Sequence, residues 1–212
     1  MTSFISIHYS FCKPNNIPYW NNPNIHNIGN GWPQALISPL ATKTIDILAY
    51  NNEPVRDTIK ERYLRGGTNI DLCCGTGYST QFVGVDTSKP MVNIAKIIHR
   101  DKKFYNANAE TFGGYKEYDT CSIFFALHEI PQDARAKILH NAVRITKKRI
   151  LICDISPSKH ISDAMLSGEP YIKEYQMNIV DDLKFIAEQK QMTVKLIDHV
   201  KGRVLVCLLD FY

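Results

Sequence analysis

Short apolar runs, set apart by longer segments of helical periodicity, dominate the chain from about residue 66 onward. Such runs are typical of buried parallel strands, which are covered on both faces. Seven runs predict strands, near residues 70–73, 82–85, 104–108, 118–127, 149–155, 193–197 and 204–209. The last two flank Lys201-Gly202, a hairpin signal, so we expect an α/β fold whose sheet ends in an antiparallel strand.

Helix start and stop signals fall before and between these runs. Ser38-Pro39 supplies an N-cap and a first helical position, which predicts a helix to about Tyr50 with an apolar face. Pro54 opens a second helix, and Arg65-Gly66-Gly67 ends it. Further helices are expected from Ser88, from Pro131 and over 160–190, the last interrupted at Gly168-Glu169-Pro170. Residues 1–32, rich in Asn, Pro and aromatic residues, predict irregular coil.

The stretch from Thr68 to Asp86 carries the strongest local signal. After an apolar strand, Gly75 and Gly77 let the backbone turn sharply and leave room for a ligand against the main chain. The next strand delivers Asp86 to the same edge of the sheet, where a carboxylate can accept hydrogen bonds from ribose hydroxyls. Because only Tyr78 to Val85 connect the two, we expect the first crossover helix to be shortened or missing.

The run Asp71-Leu72-Cys73-Cys74-Gly75-Thr76-Gly77, followed by Gly84-Val85-Asp86-Thr87-Ser88, resembles class I S-adenosylmethionine-dependent methyltransferases, most closely the quinone-biosynthesis type. The strand that ends in Leu127-His128-Glu129 is similar to a second landmark of that family. The resemblance covers residues 66–212. It implies a Rossmann-like methyltransferase fold: a mostly parallel seven-stranded sheet, an antiparallel last strand and helices on both faces. It also implies an enzyme with S-adenosyl-L-methionine as cofactor, and leaves residues 1–65 as an N-terminal lid or helical extension.

The same resemblance implies a cofactor site along one rim of the sheet. The expected cofactor residues are Asp71, Cys73, Cys74, Gly75, Thr76, Gly77, Asp86, Thr87, Asn108, Ala109 and Leu127. Asp86 would hold the ribose and Asn108 the adenine amino group, at a position where the family carries aspartate. An amide oxygen can still accept that hydrogen bond. The alternative is that Asn108 is simply a turn residue at a strand end.

Acceptor-side residues are expected beyond the fourth and fifth strands. His128 is the candidate base, being titratable near neutrality, unless it only bonds backbone at the strand end. Asp154 either contacts the substrate or caps the Ser156-Pro157 turn. Tyr171 and Tyr175 lie four apart on one helix face, which could stack on an acceptor or pack into the core.

Tyr19 and Trp20 are expected to bind substrate as part of a lid formed by the aromatic N-terminal segment. Structural packing and a tail are the alternatives, although a disordered tail is normally poor in aromatic residues.

Charge does little to narrow the choice of partner. The net charge is +4 with a pI near 8.6, and Lys147-Lys148-Arg149 is typical of a solvated turn. A patch that binds nucleic acid or another anionic partner is the alternative for this run. The fourth strand precedes no D/N-P-P-Y/F tetrapeptide and no Pro-Cys pair, so no DNA substrate is expected. We expect methylation of a small organic acceptor, such as a phenol, acid or quinone-like compound, through an O-, N- or C-nucleophile. A protein or RNA methyltransferase and a non-catalytic cofactor-binding module are the alternatives.

Cysteine usage indicates a reduced protein. Five of the six cysteines lie in strands or strand ends and no C-x-x-C pair exists, so neither a disulfide scaffold nor a metal site is expected. The N-terminus lacks a signal-peptide pattern, and no apolar run is long enough to span a bilayer. We therefore expect a cytoplasmic monomer or homodimer with no membrane span.

Overall fold

A single mixed sheet with helices around it forms the framework of the protein. The computed structural model describes residues 18–212. The strands are β1 (Asn69–Leu72), β2 (Val83–Asp86), β3 (Lys103–Asn106), β4 (Tyr118–Phe124), β5 (Thr146–Ile155), β6 (Met192–Val200) and β7 (Val204–Phe211). The helices are α1 (Trp32–Ala49), α2 (Val55–Tyr63), α3 (Lys89–Ile98), α4 (Gln132–Ile145), α5 (Asp163–Gly168) and α6 (Ile172–Gln189).

The strand order is β3-β2-β1-β4-β5-β7-β6. Strands β1 to β5 pair in parallel, whereas β7 runs antiparallel to both of its neighbours, β5 and β6. The expected seven-stranded, mostly parallel sheet with a reversed last strand is confirmed. The order of strand addition reverses between β1 and β4, because β2 and β3 lie on one side of β1, and β4 and β5 lie on the other. The carboxyl ends of these central strands therefore open a crevice of the kind that binds ligands in such sheets.

Alternation along β5 divides the core into two layers. Ile150 and Ile152 pack with α4 and α6, whereas Leu151 and Cys153 pack with α2 and β7 on the other face. All four side chains are at most 1% exposed. Burial on both faces explains why the strand reads as a continuous apolar run, and each such side chain contributes about 1.5–3 kcal/mol.

The connection from β1 to β2 contains turns and no helix, as expected from its length. Two lysines from neighbouring elements bond its carbonyl groups. Nζ of Lys60 donates to the carbonyl of Tyr78, and Nζ of Lys102 donates to the carbonyl of Thr80, each at 2.7 Å. Side chains thus satisfy backbone groups that a crossover helix would have paired internally.

The predicted start of α1 is wrong. The helix begins at Trp32, with Pro33 in its first turn, and Pro39 lies inside it. Both prolines fit a helix start equally well from sequence, and the upstream one prevails. The expected apolar face is also wrong, because Leu40 and Leu48 are 71% and 76% exposed while Ala35 is buried.

Other helix signals hold. Pro54 precedes α2, the Ser88 hydroxyl accepts the backbone N–H of Met91 at 3.4 Å as N-cap of α3, and α5 and α6 are separate helices. Within residues 18–212, no helix combines the length and apolar character needed to cross a bilayer.

Candidate active site

The turn after β1 is built from left-handed backbone. The φ angles of Cys73, Gly75 and Gly77 are 60°, 52° and 83°. At Gly77 an added Cβ would lie 2.7 Å from the ring of Phe104, so no side chain fits. At Gly75 an added Cβ would meet nothing within 4 Å. Gly75 therefore leaves open space directly against the main chain, as a ligand that approaches the backbone requires.

Asp71 anchors this turn through three hydroxyls. Its Oδ2 accepts from Ser79 and Thr80 at 2.8 Å each, and its Oδ1 accepts from Ser122 at 3.0 Å. Asp71 is fully buried, and burial raises its pKa to about 6 although the hydroxyl bonds oppose the shift. Asp71 does not line the cavity described below, so any effect on a cofactor would act through the shape of the turn.

Asp86 links the ends of β1 and β2. Its Oδ2 accepts the N–H of Gly75 and its Oδ1 accepts the N–H of Ser88, both at 2.8 Å. Burial raises the pKa of this carboxyl, while the two backbone N–H bonds oppose the shift. Each oxygen keeps a further lone pair. Asp86 can therefore accept hydroxyl hydrogen bonds from a ligand while it holds the turn in place.

A cavity of about 480 Å³ lies at the carboxyl ends of β1, β2, β4 and β5. It brings together ten of the predicted site residues: Tyr19, Trp20, Cys73, Cys74, Gly75, Thr76, Asp86, Thr87, Ala109 and His128. The predicted residues outside its lining are Asp71, Gly77, Asn108, Leu127, Asp154, Tyr171 and Tyr175. Burial raises the pKa of both Cys73 and Cys74 well above the usual range, so these thiols stay protonated.

Asn108 forms a turn after β3. Its Oδ1 accepts the backbone N–H of Glu110 at 2.8 Å, and its carbonyl accepts the N–H groups of Thr111 and Phe112. This arrangement fits the turn-residue alternative. The amide oxygen keeps one lone pair that a ligand could use.

The tyrosines at 171 and 175 lie away from the cavity. Tyr175 is fully buried, and its hydroxyl donates to the carbonyl of Ile155 at 2.8 Å. Tyr171 precedes α6 as its N-cap. The expected stacking face is therefore not presented to an acceptor, and Tyr175 fits the core-packing alternative.

His128 is held by Asp154. Nδ1 of the imidazole lies 2.6 Å from Oδ1 of Asp154, whose Oδ2 accepts the N–H of Leu127 at 2.8 Å. Burial lowers the pKa of His128, but the Asp154 carboxylate outweighs it and raises the pKa to about 9. The expected Ser156-Pro157 cap is wrong, because the N–H of Ser156 donates to the carbonyl of Arg203. Asp154, with a side chain 1% exposed, is a positioning residue for His128.

His26, Glu129 and Glu169 form a second titratable cluster, next to His128. Nδ1 of His26 lies 3.1 Å from Oε1 of Glu169, and its Nε2 lies 3.4 Å from Oε2 of Glu129. Burial lowers the pKa of His26, but the two carboxylates raise it to about 9. Burial also raises the pKa of Glu129, with Glu169 adding to the shift and His26 opposing it. All three residues line the cavity, together with His128.

Sequence signals for this cluster are weak. Glu129 belongs to the Leu127-His128-Glu129 landmark and Glu169 to the break at Gly168-Glu169-Pro170, but His26 lies in an irregular segment. The expectation that no metal site exists considered only cysteine spacing. The structure brings one ligand atom from each of these three residues within 4.8 Å of one another, a set that can hold a cation.

Residues ahead of α1 contribute to the lining of the cavity. Tyr19 and Trp20 line it and contact each other edge to face, with ring centroids 4.9 Å apart. Burial raises the pKa of Tyr19 above its usual range, and the neighbouring Cys73 and Glu110 add to the shift. The Ser88 hydroxyl donates to the carbonyl of Asn30 at 3.0 Å, which fastens the segment to the start of α3. Tyr19 and Trp20 are therefore exposed to whatever the cavity binds, while the lid stays a prediction.

Comparison with known proteins finds a methyltransferase domain in part of the chain. Residues 66–153 match a family model described as a methyltransferase domain. No curated protein matches the sequence significantly.

Three solved structures illustrate the likeness of the fold. The PH0226 protein from Pyrococcus horikoshii OT3 is 15% identical with a TM-score of 0.57, covering 76% of this chain and 92% of its own. Magnesium protoporphyrin IX methyltransferase from Synechocystis PCC 6803, with bound SAH, is 14% identical with a TM-score of 0.55, covering 81% and 83%. A possible histamine N-methyltransferase from Thermotoga maritima is 15% identical with a TM-score of 0.54, covering 73% and 87%. At such identities the likeness shows the fold alone.

The protein therefore combines a matched methyltransferase domain over residues 66–153 with a Rossmann-like methyltransferase fold. It is an enzyme, and S-adenosyl-L-methionine is its cofactor.

Proposed function

We propose that this enzyme transfers a methyl group from S-adenosylmethionine to a small organic acceptor bound in the 480 Å³ cavity. The observation that carries the proposal is that one cavity joins two sets of residues. Gly75 and Asp86 line it, and so do His26, His128 and Glu129. Tyr19 and Trp20 also line it, and a cavity of this volume lined by aromatic rings suits a small acceptor better than a macromolecule.

The residues around Gly75 fit the cofactor. The open space at the Gly75 main chain would accept its amino-acid end, and the free lone pairs of Asp86 would accept ribose hydroxyls. Ala109 and Thr87 would line the adenosine portion, with Asn108 offering one amide lone pair. When bound, S-adenosylmethionine supplies a methyl group on a positively charged sulfur, which is already activated for displacement.

On the acceptor side the chain would act mainly by positioning. Methyl displacement is accelerated when the nucleophile is held about 3–3.5 Å from the methyl carbon and in line with the leaving sulfur. His128, fixed by Asp154, would orient a polar group of the acceptor, and the aromatic rings of Tyr19 and Trp20 would pack on its apolar part. The same two rings would exclude water from the cavity.

Several finer assignments belong to the same proposal. A phenolic, acidic or quinone-like acceptor is supported by the sequence resemblance to quinone-biosynthesis methyltransferases. Two of the structurally similar proteins are named as methyltransferases of small molecules, which also supports a small acceptor. Residues 1–65 would serve as the lid and helical extension of a methyltransferase domain over 66–212. Free cysteines at five described positions support a reduced, cytoplasmic setting.

The experiment is calorimetry with S-adenosylmethionine and S-adenosylhomocysteine, followed by methyl release on a panel of phenols, carboxylic acids, quinols and amines. Saturable binding of both nucleosides with turnover of a panel member supports the proposal. Turnover of protein or RNA alone, with steep salt dependence of binding, would overturn the small-molecule assignment. Binding without any turnover would favour a cofactor-binding module.

A further inference from the structure

Three residues from distant parts of the chain converge on the acceptor side of the cavity. His26 comes from the 3-10 turn Ile25–Asn27, Glu129 from the 3-10 turn Leu127–Glu129 after β4, and Glu169 from the junction of α5 and α6. One ligand atom from each lies within 4.8 Å of the other two. Some point therefore lies within about 2.8 Å of all three atoms, against about 2.0–2.2 Å for bonds from zinc to nitrogen or oxygen. Side-chain shifts of about 0.6–0.8 Å would close the site.

We propose that His26, Glu129 and Glu169 bind a divalent transition-metal cation of the Zn²⁺ or Fe²⁺ class. One imidazole nitrogen and two carboxylates suit these borderline cations better than Mg²⁺ or Ca²⁺, which prefer all-oxygen sites. Three protein ligands leave coordination positions open, which is the pattern of catalytic metal sites. All three residues line the cavity, so the open positions would face an acceptor oxygen or nitrogen.

The backbone around His26 is shaped in an unusual way. His26 and Asn27 both have left-handed φ angles, 55° and 62°, which non-glycine residues seldom adopt. The hydroxyl of Ser167 donates to Oδ1 of Asn27 at 2.9 Å, next to Glu169. At Gly168 an added Cβ would lie 2.5 Å from Nδ2 of Asn27, so the two segments approach as closely as glycine allows. Backbone strain of this kind clusters at functional sites.

Only histidines compensate the negative charges of Glu129 and Glu169 among the described residues. Side chains of His26, Glu129 and Glu169 are 18%, 26% and 11% exposed. In the part of the chain that the structure describes, the ion pairs of Glu129 and Glu169 are all with histidines. Oε2 of Glu169 is buried and has no hydrogen-bond partner among the described residues. A cation between the two carboxylates would neutralise both and engage this orphaned oxygen.

His128 borders the cluster in a way that suits a metal. Its Nε2 lies 3.7 Å from Oε1 of Glu129, while its Nδ1 is fixed by Asp154. Histidines near metals are commonly oriented by a carboxylate on the other ring nitrogen. Without a cation, a protonated His26 would hold the same contacts through hydrogen bonds to both carboxylates. The two arrangements differ in whether the protein binds a metal ion at a saturable site.

The test is titration of untagged full-length protein, treated with EDTA and then dialysed, with Zn²⁺ by calorimetry and with Co²⁺ by visible absorption. The expected result is one saturable site per chain whose Co²⁺ spectrum shows d–d bands without the strong near-ultraviolet band of a thiolate ligand. His26→Gln, Glu129→Gln and Glu169→Gln should each weaken binding at least about tenfold, the lower end of the loss seen when outer-shell partners are removed. His140→Gln and Glu188→Gln, on exposed helix positions, are matched controls that should leave it unchanged.

Absence of saturable binding, a thiolate spectrum, or equal affinity in the three variants and the controls would overturn the proposal. Thermal unfolding of each variant checks that it is folded, and the Gln substitutions keep side-chain size. Calorimetry with S-adenosylhomocysteine on the same proteins separates this proposal from the proposed function. A protein that fails to bind metal but still binds the nucleoside contradicts the metal site alone. A protein that binds metal but fails to bind the nucleoside contradicts the cofactor site alone.

Discussion

Oδ1 of Asp154 lies 2.6 Å from Nδ1 of His128, so a carboxylate at the end of β5 sets the orientation of an imidazole at the end of β4. The two residues are 26 apart in sequence and meet because β4 and β5 are neighbours in the sheet. The second oxygen of Asp154 accepts the N–H of Leu127, so one side chain fixes both the ring and the backbone beside it. Asp154 thus holds His128, which lines the cavity, without lining the cavity itself.

Replacing this carboxylate should loosen both contacts. In Asp154→Asn the amide NH2 would face either the imidazole N–H or the Leu127 N–H, leaving a buried donor unpaired at a cost of about 1–3 kcal/mol. We expect lower stability in urea and a lower pKa of His128 in nitrogen NMR titrations, because the Asp154 carboxylate is the group that raises that pKa. Asp210→Asn, at the half-exposed Arg149 pair on β7, is the control and should cost at most about 1 kcal/mol. An unchanged pKa of His128 in Asp154→Asn would contradict the positioning role.

The open space at Gly75 can be tested by comparison with Gly202, which has a similar left-handed φ angle. Gly75→Ala and Gly202→Ala each place a Cβ at left-handed φ angles, 52° and 67°, with no atom within 4 Å. Both should lose about 1 kcal/mol of unfolding free energy. Only Gly75→Ala should weaken binding of S-adenosylhomocysteine, by at least about tenfold if the methyl group takes the place of about 1.4 kcal/mol of contacts. Equal nucleoside affinity in the two variants would place the cofactor elsewhere.

Buried Asp71 should make stability fall as pH rises. Its folded pKa of about 6 is above the unfolded value, so the folded state binds the extra proton. The resulting stabilisation is complete below about pH 4 and is lost as pH rises through about 6, by up to about 3 kcal/mol. Asp71→Asn has no such group, so the stability of wild type relative to this variant should drop between pH 4.5 and 7.5 in urea unfolding.

The control for Asp71 is Asp119→Asn. The Lys148 ammonium and the Thr68 groups hold the pKa of Asp119 well below its usual range. Asp119 therefore stays charged in both states above pH 5, and its variant should show a constant difference from wild type between pH 5.5 and 7.5. A pH-independent difference for Asp71→Asn as well would show that Asp71 does not titrate as its burial implies.

Cys73 occupies a left-handed position where glycine is the natural residue. Its φ of 60° costs a non-glycine side chain about 1–2 kcal/mol, which Cys73→Gly would regain while losing the packing of a partly buried thiol. The two effects oppose each other, so Cys73→Gly should lie within about 1 kcal/mol of wild type. Cys73→Val, β-branched at the same φ, should be the least stable in thermal unfolding. A Val variant as stable as wild type would show that the turn is not strained.

Local pattern was enough for much of this protein. Buried strands, the glycine turn at Gly75 and Gly77, and the carboxylate of Asp86 at the end of β2 were predicted because each depends on residues adjacent in the chain. The start of α1 was not, since Pro33 and Pro39 are both acceptable in the first turn of a helix and the Ser38 N-cap signal is not used.

Only the tertiary structure decided that His26, Glu129 and Glu169 meet in the cavity. His26 and Glu169 are 143 residues apart, and no local period connects an irregular turn with the break between two helices. Likewise Tyr175 has the same helical spacing whether it faces an acceptor or the core, and only the approach of β5 assigns its hydroxyl to the carbonyl of Ile155. Side-chain periodicity reports which face of an element is apolar, whereas the partner of that face depends on how the elements pack together.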